Sequence, residues 1–164
     1  MFELKDLPSY ETLERFGKKY GNPDVPGLQT WLIWASATNE MLSAFESNLA
    51  RNGLSQAQFF VLLLLKRNPD GLTVGALAAG VAVTSQTMTR VVDRMMAAGM
   101  CTKHSDPDDR RLWIVRLTPE GDEILGRVLP DHYAWVADFM SHFSPQEREL
   151  LVKVMLKVGP ALAK

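Results

Sequence analysis

Residues 83–118 read VTSQTMTRVVDRMMAAGMCTKHSDPDDRRLWIVRLT and contain the pattern that decides the fold. In the first half, apolar residues recur at positions i, i+3, i+4 and i+7, the spacing of one face of an α-helix. They are Met88, Val91, Val92 and Met95. In the second half, residues 100–104 and 112–117 are strand candidates on either side of the polar sequence SDPDDRR. The stretch therefore predicts an amphipathic helix followed by a hairpin with a long polar tip.

A second, shorter helix is predicted just before this one. Thr73 can cap a helix that runs through Gly80, and Thr84 can cap the next, which runs to Gly99. Two helices joined by so tight a turn form a helix-turn-helix, and the hairpin that follows is its wing. Polar side chains of the second helix then face outward, opposite its apolar face. They are Gln86, Thr89, Arg90 and Asp93.

Long apolar helices are predicted on both sides of this unit. From Leu28 to Leu49 the apolar positions alternate steps of three and four, and so wide an apolar face needs another part of the chain or a second subunit to cover it. The run FFVLLLL at 59–65 follows a capping pair, Ser55 and Gln58, and predicts an interior helix.

Two closing helices are predicted after the wing. Thr118 and Pro119 begin one, which Pro130 should kink or interrupt. The sequence SPQE at 144–147 is a capping box that begins the other, and its apolar stripe runs from 150 to 162.

Composition favours an ordinary folded protein in which any basic surface for nucleic acid has to be local. The 164 residues are 46% apolar and 23% charged, and the formal net charge is -1. Between residues 84 and 118 six Lys/Arg stand against four Asp, an excess of only +2. The single cysteine, Cys101, excludes an internal disulfide, and no signal peptide or spanning segment is visible, so we expect a cytoplasmic protein with no membrane partner.

No catalytic pattern is present in the sequence. A G-x-S-x-G elbow, a phosphate loop and a dinucleotide glycine motif are all absent, so we expect neither enzymatic activity nor a cofactor. An amphipathic helix beside a basic loop instead suits a DNA duplex, because the helix can enter the major groove while the loop reaches the backbone or minor groove.

The order of elements and several motifs resemble the MarR (multiple antibiotic resistance regulator) family of bacterial transcription factors. The likeness extends from Leu28 to Lys164 and leaves the first 26 residues outside. Its motifs are LSQAQFFVL at 54–62, LA at 77–78, VTSQTMTRVVDRM at 83–95, Gly99, and DPDDRR followed by LTPEG at 106–121.

The resemblance implies a mainly α fold with a small β-wing, in which a winged helix-turn-helix lobe (54–117) is joined to a helical dimerisation region (27–52 and 118–164). It implies a homodimeric repressor that binds a pseudo-palindromic DNA operator and is released by a small aromatic acid or phenolic effector. Residues 1–26 form an N-terminal arm, which we hypothesise wraps the partner subunit.

The helix and the wing supply the DNA-binding candidates. Gln86 suits adenine, Arg90 suits guanine or phosphate, and Ser85 and Thr89 are short donors, while Thr84 is a cap whose backbone could also face a phosphate. In the wing, Arg111 is expected in the minor groove, Arg110 on the backbone, and Asp109 as a brace for the loop. Arg94 and Lys103 could contact phosphate or pair with nearby acids. A merely solvated helix face is the competing interpretation.

Aromatic and methionine side chains supply the effector-pocket candidates, for which ordinary core packing is the alternative. They are Trp31, Trp34, Met41, Phe59 and Trp113. Cys101 is expected to be an inert packing residue and not a redox sensor, and its spacing to His104 does not predict a metal site. The runner-up function is a winged-helix module that binds another protein without specific DNA binding.

Overall fold

The computed structural model describes residues 6–105 and 112–163. This part of the chain is mainly helical with one small antiparallel sheet, which confirms the predicted fold class. It forms two compact units, residues 1–56 and 57–164. In chain order the elements are α1 (Tyr10–Tyr20), α2 (Val25–Arg51), α3 (Gln56–Arg67), β1 (Leu72–Thr73), α4 (Val74–Val81), α5 (Ser85–Ala97), β2 (Cys101–Ser105), β3 (Trp113–Leu117), α6 (Pro119–Ser141), α7 (Pro145–Met155) and α8 (Val158–Leu162).

The first unit begins with a capped helix inside the predicted arm. The Ser9 hydroxyl accepts the N–H of Thr12 at 3.3 Å, and Gly21 ends α1 in the left-handed region with φ of 76°. A Cβ on Gly17 would lie 2.7 Å from the side chain of Val25, so α1 packs closely against the start of α2. Because α2 begins at Val25, the helix starts two residues before the expected boundary at 27. The assignment of an arm and a dimerisation region stays a prediction.

Much of the apolar surface of α2 is uncovered in the single chain. Asn48 and Leu49 are its buried residues, whereas Trp31 is 61% exposed and Met41 is 44% exposed. Ile33 is 53% exposed. Large apolar side chains of the predicted wide apolar face of α2 are therefore exposed in the single chain.

The core of the second unit lies around α3. The predicted interior helix is confirmed, since four of its side chains are buried: Phe59, Val61, Leu62 and Leu65. Side chains from five further elements complete the same apolar interior. They are Leu77 of α4, Met88, Val92 and Met95 of α5, Cys101 of β2, Val115 of β3, and Leu125 and Val128 of α6.

The sheet has the strand order β1-β3-β2. Both predicted strands of the hairpin are confirmed, with Cys101 opposite Leu117 and Ser105 opposite Trp113. The sequence did not predict β1, because a two-residue strand is too short to show an alternating pattern. It follows a turn at Pro69 and Asp70 and pairs with β3.

Two expectations about the closing helices need correction. Pro130 does not interrupt α6, which continues from Pro119 to Ser141, so of its two expected effects only a kink stays a prediction. The bond that its missing N–H leaves unmade would go to the carbonyl of Gly126, and both residues are exposed, so water can solvate that oxygen. The final apolar stripe, expected to run unbroken to Leu162, is divided between α7 and α8, because Pro160 cannot donate to the carbonyl of Leu156.

Candidate nucleic-acid interface

The turn before α5 is fixed by backbone and side-chain hydrogen bonds. Ala82 adopts the left-handed region with φ of 57° and ψ of 44°, and the N–H of Val83 donates to the carbonyl of Ala78 at 3.0 Å. Thr84 then caps α5, since its hydroxyl oxygen accepts the N–H of Thr87 at 3.2 Å. The predicted helix-turn-helix is confirmed, and this cap sets the direction in which α5 leaves the turn.

The side chains of α5 separate into a buried and an exposed face as predicted. Met88, Val92 and Met95 are fully buried and Val91 is half-buried. The exposed face contains Ser85, Gln86, Thr89, Arg90, Asp93 and Arg94. Because the apolar half is locked into the core, the polar half is presented to solvent along the whole helix.

The exposed side chains differ in how much hydrogen-bonding capacity they keep. Gln86 and Arg90 form no hydrogen bond or ion pair with any other residue that the structure describes, so their donors are available to a ligand. The Thr89 hydroxyl, in contrast, donates to the carbonyl of Ser85 at 2.9 Å. Thr89 therefore offers an acceptor, and its predicted use as a donor would require that bond to break.

The two faces of the wing hairpin present different groups. On one face the Arg116 Nε donates to the carbonyl of Asp70 at 3.0 Å, and the His104 ring lies 3.0 Å from the Thr102 hydroxyl. On the other face the Lys103 ammonium lies 5.2 Å from the centroid of the Trp113 ring. The three predicted tip residues, Asp109, Arg110 and Arg111, fall outside the described residues.

Cys101 lies behind α5 and not in its exposed face. Its thiol is buried, lies 3.9 Å from the carbonyl of Val92, and burial raises the pKa of the thiol to about 11. A thiol with so high a pKa is a poor nucleophile at neutral pH, which agrees with the expected packing role. Among residues 6–105 and 112–163 no cluster of His, Cys, Asp and Glu could hold a metal ion.

The candidates for an effector pocket do not share one environment. Phe59 is buried, and its ring contacts Phe60 at 5.8 Å and His132 at 5.0 Å between centroids, which is core packing. Trp113 lies half-exposed on the wing. Trp31 and Met41 are exposed on α2 and Trp34 is half-buried there, in the other compact unit.

The sequence did not predict a row of aromatic side chains that runs along α6 and ends at Phe143, just after the helix. His132 and Trp135 stack at 6.1 Å, Trp135 and Phe139 at 6.2 Å, and Phe139 meets Phe143 edge-on at 5.6 Å. Burial lowers the pKa of His132. The spacing of these residues, three or four apart, was the available signal.

Comparisons with known proteins agree with this architecture. A family model described as the MarR family matches residues 52–112. The HTH-type transcriptional repressor YetL of Bacillus subtilis is 30% identical over 154 residues, which span 93% of this chain and 92% of YetL.

Solved structures show the same fold. AbsC, a MarR family transcriptional regulator from Streptomyces coelicolor, has a TM-score of 0.74 at 22% identity. The match covers 81% of this chain and 91% of the AbsC chain. BpsR of Bordetella bronchiseptica has a TM-score of 0.69 at 24% identity and covers 80% of this chain and 98% of its own. At these identities the likeness concerns the fold.

The fold and the exposed face of α5 define a winged helix-turn-helix protein. The match to YetL along nearly the whole of both chains shows that the protein belongs to the MarR family. It is a transcriptional regulator and not an enzyme. No helix in the described ranges is long and apolar enough to cross a membrane.

Proposed function

We propose that the protein is a homodimeric repressor that binds a pseudo-palindromic DNA operator through α5 and the wing. The observation that carries this proposal is the exposed polar face of α5, where Gln86 and Arg90 have no partner among the described residues. Thr84 fixes the start of that helix and Met88 fixes its roll against the core. A helix held in this way can be inserted into a major groove without rearrangement.

The side chains of this face have distinct roles in the proposal. The Gln86 amide bonds the edge of adenine and the Arg90 guanidinium bonds guanine, while Ser85 and Arg94 contact the flanking phosphates. Thr89 contributes an acceptor. At the wing, Lys103 and Arg110 contact the backbone, and Arg111 enters the minor groove beside Asp109. A twofold dimer repeats these contacts about one helical turn away, which makes the operator pseudo-palindromic.

Titration of DNA by fluorescence anisotropy tests the DNA-binding part. Duplexes are selected from a random pool, and the selected duplex is compared with a scrambled one. Gln86→Ala should cost about 1 to 3 kcal/mol on the selected duplex and relax the sequence preference, whereas Arg111→Ala should weaken binding to both. Arg127→Ala, which removes an exposed arginine from α6, is the matched control and should bind like the wild type. Equal wild-type affinity for the two duplexes would reject specific binding and leave the protein-interaction alternative.

A second copy of the chain is the proposed cover for the apolar surfaces of α2 and the last helices. Within one chain Leu150 is 61% exposed, Leu156 is 72% exposed and Leu162 is 79% exposed. On a small protein, so many large apolar side chains on neighbouring elements mark an interaction surface. An isologous contact would bury these side chains in both subunits at once.

Sedimentation equilibrium tests the dimer. The wild type should have twice the mass of the chain, and Leu150→Lys should shift the equilibrium toward the monomer, because a charge on this surface would be desolvated in the contact. Lys153→Ala is the control, since Lys153 pairs with Glu149 at 2.7 Å on the surface of the same helix. A wild type that stays monomeric at all concentrations would reject the dimer.

A small aromatic acid or phenolic compound is the proposed effector that releases the DNA. BpsR, one of the structural relatives, is described as regulated in its DNA binding by 6-hydroxynicotinic acid, and YetL is named a repressor. On α2, Trp31, Trp34 and Met41 supply apolar and aromatic surface suited to such a ring. A panel that includes 6-hydroxynicotinic acid and salicylate should contain a compound that lowers duplex affinity. If none does, the effector proposal fails while DNA binding stands.

A further inference from the structure

An exposed indole lies at the end of the wing hairpin nearest the tip. Trp113 is the first residue of β3 and pairs with Ser105, the last residue of β2. Alternation along the strands puts Trp113 on the same sheet face as Cys101 and Val115, which are buried. Trp113 itself is 48% exposed. Core packing therefore covers only about half of this large apolar side chain.

The indole holds a cation. Lys103 lies diagonally across the ladder from Trp113, and its ammonium is 5.2 Å from the ring centroid. An ammonium within about 6 Å of an indole ring is attracted by the negative face of the ring. Within the described ranges no carboxylate forms an ion pair with Lys103. The ring restricts the position of this side chain without neutralising its charge.

The Lys103–Trp113 pair lies on the side of the hairpin that faces α5, the helix proposed to enter the major groove. The sheet face that holds Lys103 and Trp113 packs against α5, because Cys101 on the same face lies 3.9 Å from the carbonyl of Val92. On the opposite face, Arg116 is already bonded to the carbonyl of Asp70. Among the described residues of the hairpin, Lys103 is thus the cation that lies on the α5 side and has no carboxylate partner.

We propose that Trp113 is a positioning residue of the nucleic-acid interface, whose indole holds the Lys103 ammonium toward a phosphate of the duplex. This inference rests on the proposed DNA binding and deepens it. It assigns Trp113 to the nucleic-acid interface and not to the effector pocket. A lysine side chain has large rotamer entropy, so a ring that restricts it before binding lowers the entropic cost of the phosphate contact.

A double-mutant cycle tests the proposal on the full-length protein. Anisotropy titrations use a labelled random-sequence duplex between about 50 and 200 mM salt, because a phosphate contact does not depend on base sequence. Lys103→Met should reduce the slope of log affinity against log salt by about 0.9 for each protomer's contact. Trp113→Leu should lower affinity by about two- to fivefold per protomer, and Trp113→Phe, which keeps a ring, should restore most of it. In the Lys103→Met background, Trp113→Leu should have no further effect.

The cycle separates this inference from the proposed function. An equal loss from Trp113→Leu in both backgrounds, or an unchanged salt slope in Lys103→Met, overturns the inference. If Arg90→Ala weakens binding while the Lys103 and Trp113 variants bind like the wild type, the inference fails and the proposed function stands. If the wild type binds no duplex, both fail. Thermal unfolding of each variant checks that it is folded. If Trp113→Leu is not folded, Trp113→Phe and Lys103→Met keep the test decisive.

Discussion

The hydroxyl of Thr118 donates to the carbonyl of Gly99 at 2.5 Å and accepts the N–H of Gly121 at 3.0 Å. One side chain therefore bonds both the glycine that follows α5 and the first turn of α6. Gly121 sits so close to the carbonyl of Met100 that a Cβ there would clash with it. Through these contacts the end of α5 is fixed to the start of α6.

Removal of this hydroxyl should destabilise the second unit. Thr118→Ala loses the cap of α6 and leaves the carbonyl of Gly99 without this donor, which should cost about 1 to 3 kcal/mol of unfolding free energy. Thr118→Ser keeps the hydroxyl and should lose far less. Urea denaturation followed by circular dichroism measures both. If the serine variant is as unstable as the alanine variant, the methyl group and not the hydroxyl supplies the stability.

The left-handed backbone conformation of Ala82 leads to a second prediction about stability. Ala82 is the one non-glycine residue with positive φ among those described. Ala82→Gly should raise stability slightly, because it removes a left-handed penalty of about 1 to 2 kcal/mol and costs about 0.4 to 1 kcal/mol through a more flexible unfolded chain.

A glycine at Ala79 provides the matched control for Ala82. Ala79 is exposed inside α4, so Ala79→Gly should lower the unfolding free energy by about 1 kcal/mol. The two substitutions are chemically identical and should change the melting temperature in opposite directions. A decrease in both would mean that the turn tolerates Ala82 without strain.

The sequence predicted those parts of the fold in which several local signals coincide. For α5, the apolar spacing of Met88, Val92 and Met95 agrees with a cap at Thr84, so its start and its buried face were predicted, while its end at Ala97 lies two residues before the predicted end at Gly99. The start of α6 followed from Thr118 and Pro119 for the same reason. The two-residue strand β1 has no such signal, because it forms only by pairing with β3.

Side-chain roles were less predictable, because they depend on rotamers and on distant neighbours. The exposed face of α5 followed from the position of its apolar face. That Thr89 bonds the carbonyl of Ser85 depends on one rotamer choice, which the sequence does not reveal. Trp113 was named as an effector-pocket candidate because the family resemblance implied an aromatic-lined pocket, and that assignment stays untested. Its 48% exposure depends on its place at the end of the hairpin, which the residue type alone does not reveal.

The buried thiol should be chemically quiet. Because burial raises the pKa of Cys101 to about 11, the folded protein at pH 8 holds almost no thiolate. Iodoacetamide should therefore label Cys101 slowly in the native state and rapidly in urea, and peroxide should not change DNA binding. Thr102→Cys introduces an exposed thiol one residue along the strand and should react rapidly. Fast native labelling of the wild type would show that Cys101 is accessible.

His132 should make stability depend on pH. Burial lowers its pKa in the folded state, whereas the unfolded chain should titrate near pH 6.5. The unfolded state then binds more protons at mildly acidic pH, so the stabilisation is complete above about pH 7 and is lost as the pH falls through the folded-state pKa. His132→Phe should remove this dependence, since a phenyl ring can occupy the row between Phe59 and Trp135 without titrating. His104→Gln, at an exposed site on the wing, should retain it. Urea denaturation between about pH 5 and 8 measures the effect, and an unchanged pH profile in His132→Phe would assign the dependence to another group.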